Sequence, residues 1–308
     1  MLEEVNRNGR HVTFLEAPTA RAAGGVRKGM TTRRHPSMFR VIGRAVAAAA
    51  FCTVATATAG AEQLTAQGEW QGRQIPLQLT FEKPAGAGPF AVVILLPGCS
   101  AELDSGLNVW ASQLRSWGYA TLLVEGAESR GLGNICGNLD TMKSMGVETS
   151  RDVFRTAFAI AHRPDVKPNK IAVLGRSLGS NSIVWYLSRD LPLVNQAHAK
   201  AQANGVRVLA GIAITPNCEN VGRVAITMPV LILAGELDDW NVAARCSELA
   251  SAPENAAHIR IKVYPGAYHG FDRPGRPLMY FGHHVEYNPT AAQDAYVQAR
   301  QFLGQYLR

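Results

Sequence analysis

The sequence predicts an α/β domain in which helices cover both faces of a mostly parallel central sheet. Two observations lead to this prediction. Short, continuous apolar runs alternate along the chain with segments of helical spacing, which is the pattern of a buried parallel sheet. Polar residues and glycines follow directly after several of these runs, at the carboxyl ends where open α/β sheets build their sites. The strands predicted for this sheet span residues 90–96, 119–124, 170–174, 206–214, 228–234 and 259–264.

The first 61 residues differ from the rest of the chain. Residues 38–61 combine a basic start, an Ala-rich apolar stretch and a small-x-small motif, which indicates a secretory signal peptide cleaved before Glu62. Residues 1–37 are basic and have no periodicity, and we interpret them as a non-native or disordered leader upstream of a start at Met38. The alternative start codons are Met1 and Met30. Residues 62–308 are then expected to form a single domain.

The charge of the chain is concentrated in that leader. Residues 1–61 carry nine Lys or Arg and three Asp or Glu, so six of the seven net positive charges lie there. The remaining domain is nearly neutral, and nothing in it predicts a nucleic-acid partner. The apolar stretch of the signal peptide is too short for a membrane span, and no other run approaches the necessary length.

Periodicity assigns most of the remaining segments. Residues 63–83 alternate in hydrophobicity and predict an N-terminal antiparallel hairpin. Helical spacing recurs at residues 107–117, 149–161, 242–250 and 289–307. A long glycine-rich loop is predicted over residues 125–146, and loops of this length are usually functional. Residues 191–204 are polar, and we assign them no structure.

The sequence Gly-Arg-Ser-Leu-Gly at residues 175–179 follows a buried strand and precedes a helical segment. This context is typical of a nucleophile elbow, in which a strained turn exposes a serine at the edge of a sheet. Gly175 and Gly179 leave room where a Cβ would collide with neighbouring backbone. Ser177 would then lie at a helix N-terminus, where developing negative charge is favoured.

Two further polar groups follow later strands, which gives the chain order Ser177, Asp238, His269. A serine hydroxyl attacks well only when an imidazole takes its proton, and a carboxylate orients that imidazole. Asp239 is the alternative acid, although the spacing after the preceding strand favours Asp238.

The pair His283-His284 is an alternative base, but it lies in a polar segment with no predicted strand before it. Cys99 is an alternative nucleophile, unless a disulfide occupies its sulfur. For the oxyanion hole, which needs two backbone N–H groups, we expect the amides of Leu178 and Cys99.

These motifs resemble those of the dienelactone hydrolase family of α/β-hydrolases. The most specific are Gly-Glu-Leu-Asp-Asp-Trp at 235–240 and Tyr-Pro-Gly-Ala-Tyr-His-Gly-Phe at 264–271. The other matching stretches are residues 95–99, 117–120, 129–131, 175–179 and 287–289. The resemblance implies a triad of Ser177, Asp238 and His269, with the oxyanion hole near Cys99 and Leu178.

The chain departs from the family pattern at three positions. The namesake enzymes use a cysteine nucleophile where this chain has Ser177, so dienelactone itself is in doubt as the substrate. Pro97 replaces a frequent histidine, and Ser180 replaces a frequent glycine.

The fold implied by the resemblance also suggests how the four cysteines after residue 61 pair. Cys99 and Cys136 follow two neighbouring strands, and Cys218 and Cys246 follow the next neighbouring pair. We therefore expect the disulfides Cys99–Cys136 and Cys218–Cys246 at the rim of the site, the alternative being free buried thiols. An even cysteine count after an export signal favours disulfides, and no cysteine or histidine spacing predicts a zinc site.

Taken together, the sequence predicts a periplasmic or secreted serine hydrolase that cleaves small-molecule carboxylic esters or lactones and uses no cofactor or metal. Arg130, in the long loop, is a candidate for recognising a substrate carboxylate. Two alternatives stay open: a peptidase of the same fold that acts on small peptides, and a non-catalytic binding protein that retains the fold.

Overall fold

The computed structural model describes residues 60–100, 105–189, 191–219, 221 and 225–308. The predicted leader, its candidate start sites and almost all of the signal peptide lie outside these residues. No helix in the described ranges is both long enough and apolar enough to cross a membrane.

An eight-stranded sheet forms the centre of the domain, with the strand order β1-β2-β4-β3-β5-β6-β7-β8. Strands β3 to β8 pair in parallel, whereas β1 and β2 form an antiparallel hairpin that joins the sheet through β4. The strands are β1 (Glu62–Trp70), β2 (Arg73–Glu82), β3 (Phe90–Leu96), β4 (Ala120–Val124), β5 (Val166–Arg176), β6 (Val208–Ile214), β7 (Val230–Gly235) and β8 (Ile259–Tyr264). The prediction of a mostly parallel sheet with an N-terminal hairpin is confirmed.

Helices lie against both faces of this sheet, and each face has its own apolar core. In β3, Val92, Ile94 and Leu96 pack into one core, whereas Val93 and Leu95 pack into the other. This two-sided burial is the reason why the central strands are continuous apolar runs. The helices are α1 (Ser105–Ser116), α2 (Leu139–Ile160), α3 (Leu178–Ser182), α4 (Pro192–Ala203), α5 (Ala243–Ser251) and α6 (Pro289–Tyr306).

Helix α2 is longer than predicted, because it begins at Leu139 and not near residue 149. The side chain of Asn138 caps its first turn by accepting a hydrogen bond from the amide of Thr141 at 2.9 Å. Gly146, which suggested a loop, lies inside the helix, at a place where the ring of Tyr186 leaves no room for a side chain. A Cβ at Gly146 would lie 2.9 Å from that ring. The predicted loop therefore ends at residue 138.

Two further segments correct the sequence analysis. The polar segment 191–204, for which the sequence predicts no structure, forms α4, with Pro192 at its first position. A small antiparallel hairpin, β9 (Leu278–Tyr280) and β10 (His283–Val285), lies between β8 and α6. It was not predicted because each of its strands has only three residues, which is too short for a detectable alternation.

Candidate active site

The turn after β5 holds Ser177 in a strained backbone conformation, with φ of 48° and ψ of −114°. The two flanking glycines are required by contact with backbone. A Cβ at Gly175 would lie 2.4 Å from the carbonyl carbon of Gly179, and a Cβ at Gly179 would lie 2.2 Å from the carbonyl oxygen of Leu96. The chain therefore turns directly from β5 into α3, and Ser177 stays partly accessible at the edge of the sheet.

Three side chains from three strand ends meet at this edge. His269 Nε2 lies 3.2 Å from Ser177 Oγ, and His269 Nδ1 lies 2.9 Å from Asp238 Oδ2. His269 and Asp238 are only 3% and 4% exposed, so water has little access to the hydrogen bond between them. In this arrangement a hydroxyl, an imidazole and a carboxylate form one continuous hydrogen-bonded chain.

The loop after β7 distinguishes Asp238 from Asp239. Asp238 Oδ1 accepts hydrogen bonds from the amides of Trp240 at 3.0 Å and Asn241 at 2.8 Å, which leaves Oδ2 directed at the imidazole. Asp239 is half exposed, and its Oδ1 lies 3.6 Å from His283 Nδ1. The structure therefore brings Asp238, and not Asp239, to His269.

The two histidines considered as the alternative general base, His283 and His284, make other contacts. His283 stacks on the indole of Trp240, with ring centroids 4.7 Å apart, and His284 stacks on Tyr268 at 4.1 Å. Both histidines belong to β10, so the sequence interpretation of a strandless polar loop was wrong. Of the histidine side chains considered, the one that bonds to Ser177 is that of His269.

The two residues expected at the oxyanion hole lie beside Ser177. Leu178 is the first residue of α3, and the amide of a first helical residue has no acceptor within its own helix. Cys99 follows β3 in the turn 97–100, and a small pocket is lined by Cys99, Ser177 and His269 together. The larger clefts of the described chain lie elsewhere, for example a cleft of about 620 Å³ between α4 and the start of β6.

Both expected disulfides are present in the structure, Cys99–Cys136 and Cys218–Cys246. The first links the turn after β3 to the loop after β4, and the amide of Ile135 adds a 3.0 Å hydrogen bond to the carbonyl of Cys99. A sulfur in a disulfide cannot attack a substrate, so the structure contradicts Cys99 as a nucleophile.

Arg130, the predicted candidate for recognising a substrate carboxylate, is held by other residues of the chain. Its side chain is completely buried, and its Nη2 lies 2.8 Å from Asp152 Oδ2. Its guanidinium also donates to the carbonyl oxygens of Gly126 and Glu69, each at 2.9 Å. Arg130 therefore connects the loop after β4 to β1 and α2.

A buried ion pair that the sequence analysis missed lies directly beneath the site. Arg176 donates from Nε to Asp272 Oδ2 at 2.7 Å and from Nη2 to Asp272 Oδ1 at 2.8 Å. Trp110 Nε1 donates to the same carboxylate at 2.8 Å. Burial alone would raise the pKa of Asp272, but Arg176 and Trp110 hold that pKa below its ordinary value. The pair connects the residue before Ser177 to the loop that carries His269.

Arg273 is a second residue that the sequence analysis missed. It lines the same small pocket as Ser177 and His269, and its Nε has no hydrogen-bond partner within the described part of the chain. Its position four residues after His269, on the same loop, was the available signal.

As regards metal binding, no three His, Cys, Asp or Glu side chains among the described residues are grouped so as to hold an ion.

Solved structures with this fold include three that differ in function. A Klebsiella pneumoniae protein provisionally described as a dienelactone hydrolase is 17% identical, with a TM-score of 0.59 over 80% of this chain and 100% of that chain. Thermogutta terrifontis esterase 2, solved with propionate bound, is 16% identical, with a TM-score of 0.58 over 80% and 94%. Porphyromonas gingivalis dipeptidyl peptidase 4 is 19% identical, with a TM-score of 0.55 over 81% of this chain but 36% of that chain.

At these identities the likeness establishes the fold alone, and no curated protein matches the sequence significantly. The model of the dienelactone hydrolase family, in contrast, matches residues 130–307, which is more than half of the chain. That match includes the elbow, the loop of Asp238 and the loop of His269. The chain therefore belongs to the dienelactone hydrolase family and is a hydrolase that acts on ester bonds.

Proposed function

We propose that this protein is an exported serine esterase that cleaves small-molecule carboxylic esters, lactones among them, through an acyl-enzyme on Ser177. The observation that carries the proposal is that His269 hydrogen-bonds Ser177 with one ring nitrogen and Asp238 with the other. A base between a nucleophile and an orienting carboxylate is the arrangement that acyl transfer by serine requires.

In the acylation step, Ser177 Oγ attacks the ester carbonyl carbon while its proton passes to His269 Nε2. Asp238 fixes the tautomer of His269 through the Nδ1 hydrogen bond and stabilises the imidazolium that forms. The carbonyl oxygen becomes an oxyanion, which accepts hydrogen bonds from the amides of Cys99 and Leu178. The bond to the alcohol oxygen then breaks, and the alcohol leaves with the proton from His269.

In the deacylation step, a water molecule attacks the acyl-enzyme carbonyl and gives its proton to His269. The second tetrahedral intermediate uses the same two amides. Its collapse returns a proton to Ser177 Oγ and releases the carboxylic acid. With a lactone, the acid and the alcohol leave as one molecule after deacylation.

Export is the second part of the proposal, and it places the protein in the periplasm or outside the cell. The signal-peptide pattern at residues 38–61 supports it, and so do the two disulfides. Disulfides persist in oxidising compartments and are rare in the cytosol.

The experiment that tests the proposal is intact-protein mass spectrometry on protein recovered from an exporting host, with and without a fluorophosphonate probe. We expect one adduct on the wild type and none on Ser177→Ala, because only an activated serine is modified. The unmodified protein should begin at Glu62 and be lighter than its reduced form by two hydrogen atoms for each disulfide. Absence of an adduct on folded protein contradicts the triad and favours the binding-protein alternative.

Substrate class is decided by comparing p-nitrophenyl acetate with aminoacyl anilides, and Ser177→Ala serves as the control for both. Hydrolysis of the ester alone supports the esterase. Faster hydrolysis of the anilide, lost in Ser177→Ala, favours the peptidase. An N-terminus upstream of residue 62 after secretion contradicts the predicted cleavage site but leaves the chemistry unaffected.

A further inference from the structure

The β9–β10 hairpin contacts three parts of the candidate active site: the turn 97–100, the loop of Asp238 and the loop of His269. It is short, it was not predicted, and the mechanism above does not use it. We infer that this hairpin is a positioning element, in which the Tyr280 hydroxyl holds the turn 97–100 of the oxyanion hole at a fixed place relative to His269. This inference rests on the proposed serine-esterase function.

The first contact joins the hairpin to the oxyanion side. Tyr280 Oη donates a 2.8 Å hydrogen bond to Oγ of Ser100, which is buried and directly follows Cys99. The side chain of Asn134 donates to the same Tyr280 hydroxyl, and Asn134 Oδ1 accepts from the amide of Cys136 at 3.0 Å. One phenol therefore bonds to neighbours of both cysteines of the Cys99–Cys136 disulfide.

The second contact joins the hairpin to the acid loop. The ring of His283 stacks on Trp240 at a centroid distance of 4.7 Å and an interplanar angle of 12°. Trp240 in turn lies 5.0 Å from the ring of His269. The amide of His284 also donates to Asp239 Oδ1 at 3.2 Å. The far side of the hairpin is thus fixed to the loop that presents Asp238.

The third contact joins the hairpin to the loop of the base. Val285 forms a parallel β-bridge with His269, and the amide of Glu286 donates to the carbonyl of His269 at 3.1 Å. Tyr280 lies on β9, β9 pairs with β10, and Val285 of β10 is bridged to His269, so the position of Tyr280 is coupled to that of His269. The hydrogen bond from Tyr280 to Ser100 therefore holds the turn 97–100 in a fixed position relative to His269.

A preorganised oxyanion hole lowers the barrier only if its amides are already placed where the charge develops. Loss of the Tyr280 hydroxyl should make the turn 97–100 more mobile without removing either amide of the oxyanion hole. The expected kinetic signature is a lower kcat with little change in KM, because the affected interaction is made in the transition state and not with the bound ester.

The test compares Tyr280→Phe with Met279→Ala, a substitution of a 64% exposed side chain on the same hairpin. We expect Tyr280→Phe to lower kcat about tenfold, less than the loss of a whole oxyanion donor, with KM within about twofold. Met279→Ala should keep the wild-type kcat. Ser100→Ala removes the same hydrogen bond from the other side, so the double variant should be no slower than the slower of the two single variants. Additive losses, or an unchanged kcat in Tyr280→Phe, overturn the inference.

A second readout does not depend on catalysis. Hydrogen exchange should become several-fold faster at the amides of residues 98–100 in Tyr280→Phe, and stay unchanged in Met279→Ala. Failure of the wild type to hydrolyse any ester contradicts the proposed function, whereas unchanged exchange at this turn contradicts the positioning role in either case. Should Tyr280→Phe not fold, Ser100→Ala provides the same comparison.

Discussion

Two buried Arg–Asp pairs in this protein have similar chemistry but different positions. Arg176 and Asp272 lie beneath the candidate active site, and Arg130 and Asp152 lie where the hairpin β1–β2 meets α2. Both contacts are short, at 2.7 Å and 2.8 Å, and both carboxylates are fully buried. The first pair joins the segments that carry Ser177 and His269, whereas the second joins the loop after β4 to β1 and α2. An ion pair of this type therefore does not by itself identify a functional site.

The surroundings of the two carboxylates also differ. Asp272 receives a bidentate contact from Arg176 and a hydrogen bond from Trp110, which together lower its pKa in spite of burial. Burial has the larger effect at Asp152 and raises its pKa, although Arg130 and Arg155 oppose that effect. Relative to the unfolded chain, folding therefore favours the ionised form of Asp272 and disfavours the ionised form of Asp152.

The largest effect is expected for Asp272→Asn, which removes the buried carboxylate that Arg176 binds through two hydrogen bonds. We expect a loss of about 3–5 kcal/mol in the free energy of unfolding. We also expect kcat/KM to fall about 100-fold, because Ser177 and His269 lose their common anchor. Urea unfolding and ester hydrolysis measure the two effects. The matched control is Asp152→Asn, and a similar fall in kcat/KM for that variant would contradict the distinction between the two pairs.

The second prediction concerns Arg130→Met, which keeps the apolar stem and removes the guanidinium. The free energy of unfolding should fall by about 3 kcal/mol, because Asp152 loses its closest partner. In contrast to Asp272→Asn, kcat and KM of the folded enzyme should stay within about twofold of the wild type, since the side chain does not reach the substrate. A rise in KM restricted to esters with a free carboxylate would restore the original hypothesis of substrate binding.

The two pairs also show what the sequence was able to predict. The elbow was predictable because its strand, glycines and serine are all close in sequence, and Asp238 and His269 each follow a recognisable apolar strand. The partners of Arg130 were not predictable in this way. Asp152 lies on a helix whose first turns were interpreted as loop because of Gly146, and Glu69 contributes only a backbone carbonyl.

Contacts between distant segments account for the other omissions. Arg176 and Asp272 are separated by 96 residues, and Ser100 and Tyr280 by 180 residues. The β9–β10 hairpin owes its place to such contacts, since three-residue strands have too little pattern to be detected. Local chemistry was therefore predictable, whereas the residues that fix that chemistry in space became visible only in the fold.

A smaller effect is expected when Arg130 and Asp152 are both changed. The double variant Arg130→Met/Asp152→Asn should be at least about 1 kcal/mol more stable than the sum of the two single losses predicts, because neither charge is then left alone. A double-mutant cycle in urea measures this coupling. Strict additivity would indicate that Asp152 interacts mainly with Arg155, whose Nη1 lies 3.0 Å away.

The smallest effect concerns pH, where the two carboxylates should act with opposite sign. Since the pKa of Asp272 is lowered in the folded state, its stabilisation is present above the unfolded pKa and is lost as pH falls through the folded pKa. The difference in unfolding free energy between the wild type and Asp272→Asn should therefore shrink on acidification below about pH 4. The pKa of Asp152 is raised, so its contribution is present below the unfolded pKa and is lost as pH rises through the folded pKa.

The difference in unfolding free energy between the wild type and Asp152→Asn should thus shrink as pH rises above about 4. Urea unfolding of the three proteins in steps between about pH 3 and pH 7 separates the two slopes. Parallel slopes would mean that Arg130 and Arg155 overcome the effect of burial on Asp152. In that case the two pairs would be electrostatically equivalent, and only their positions in the fold would distinguish them.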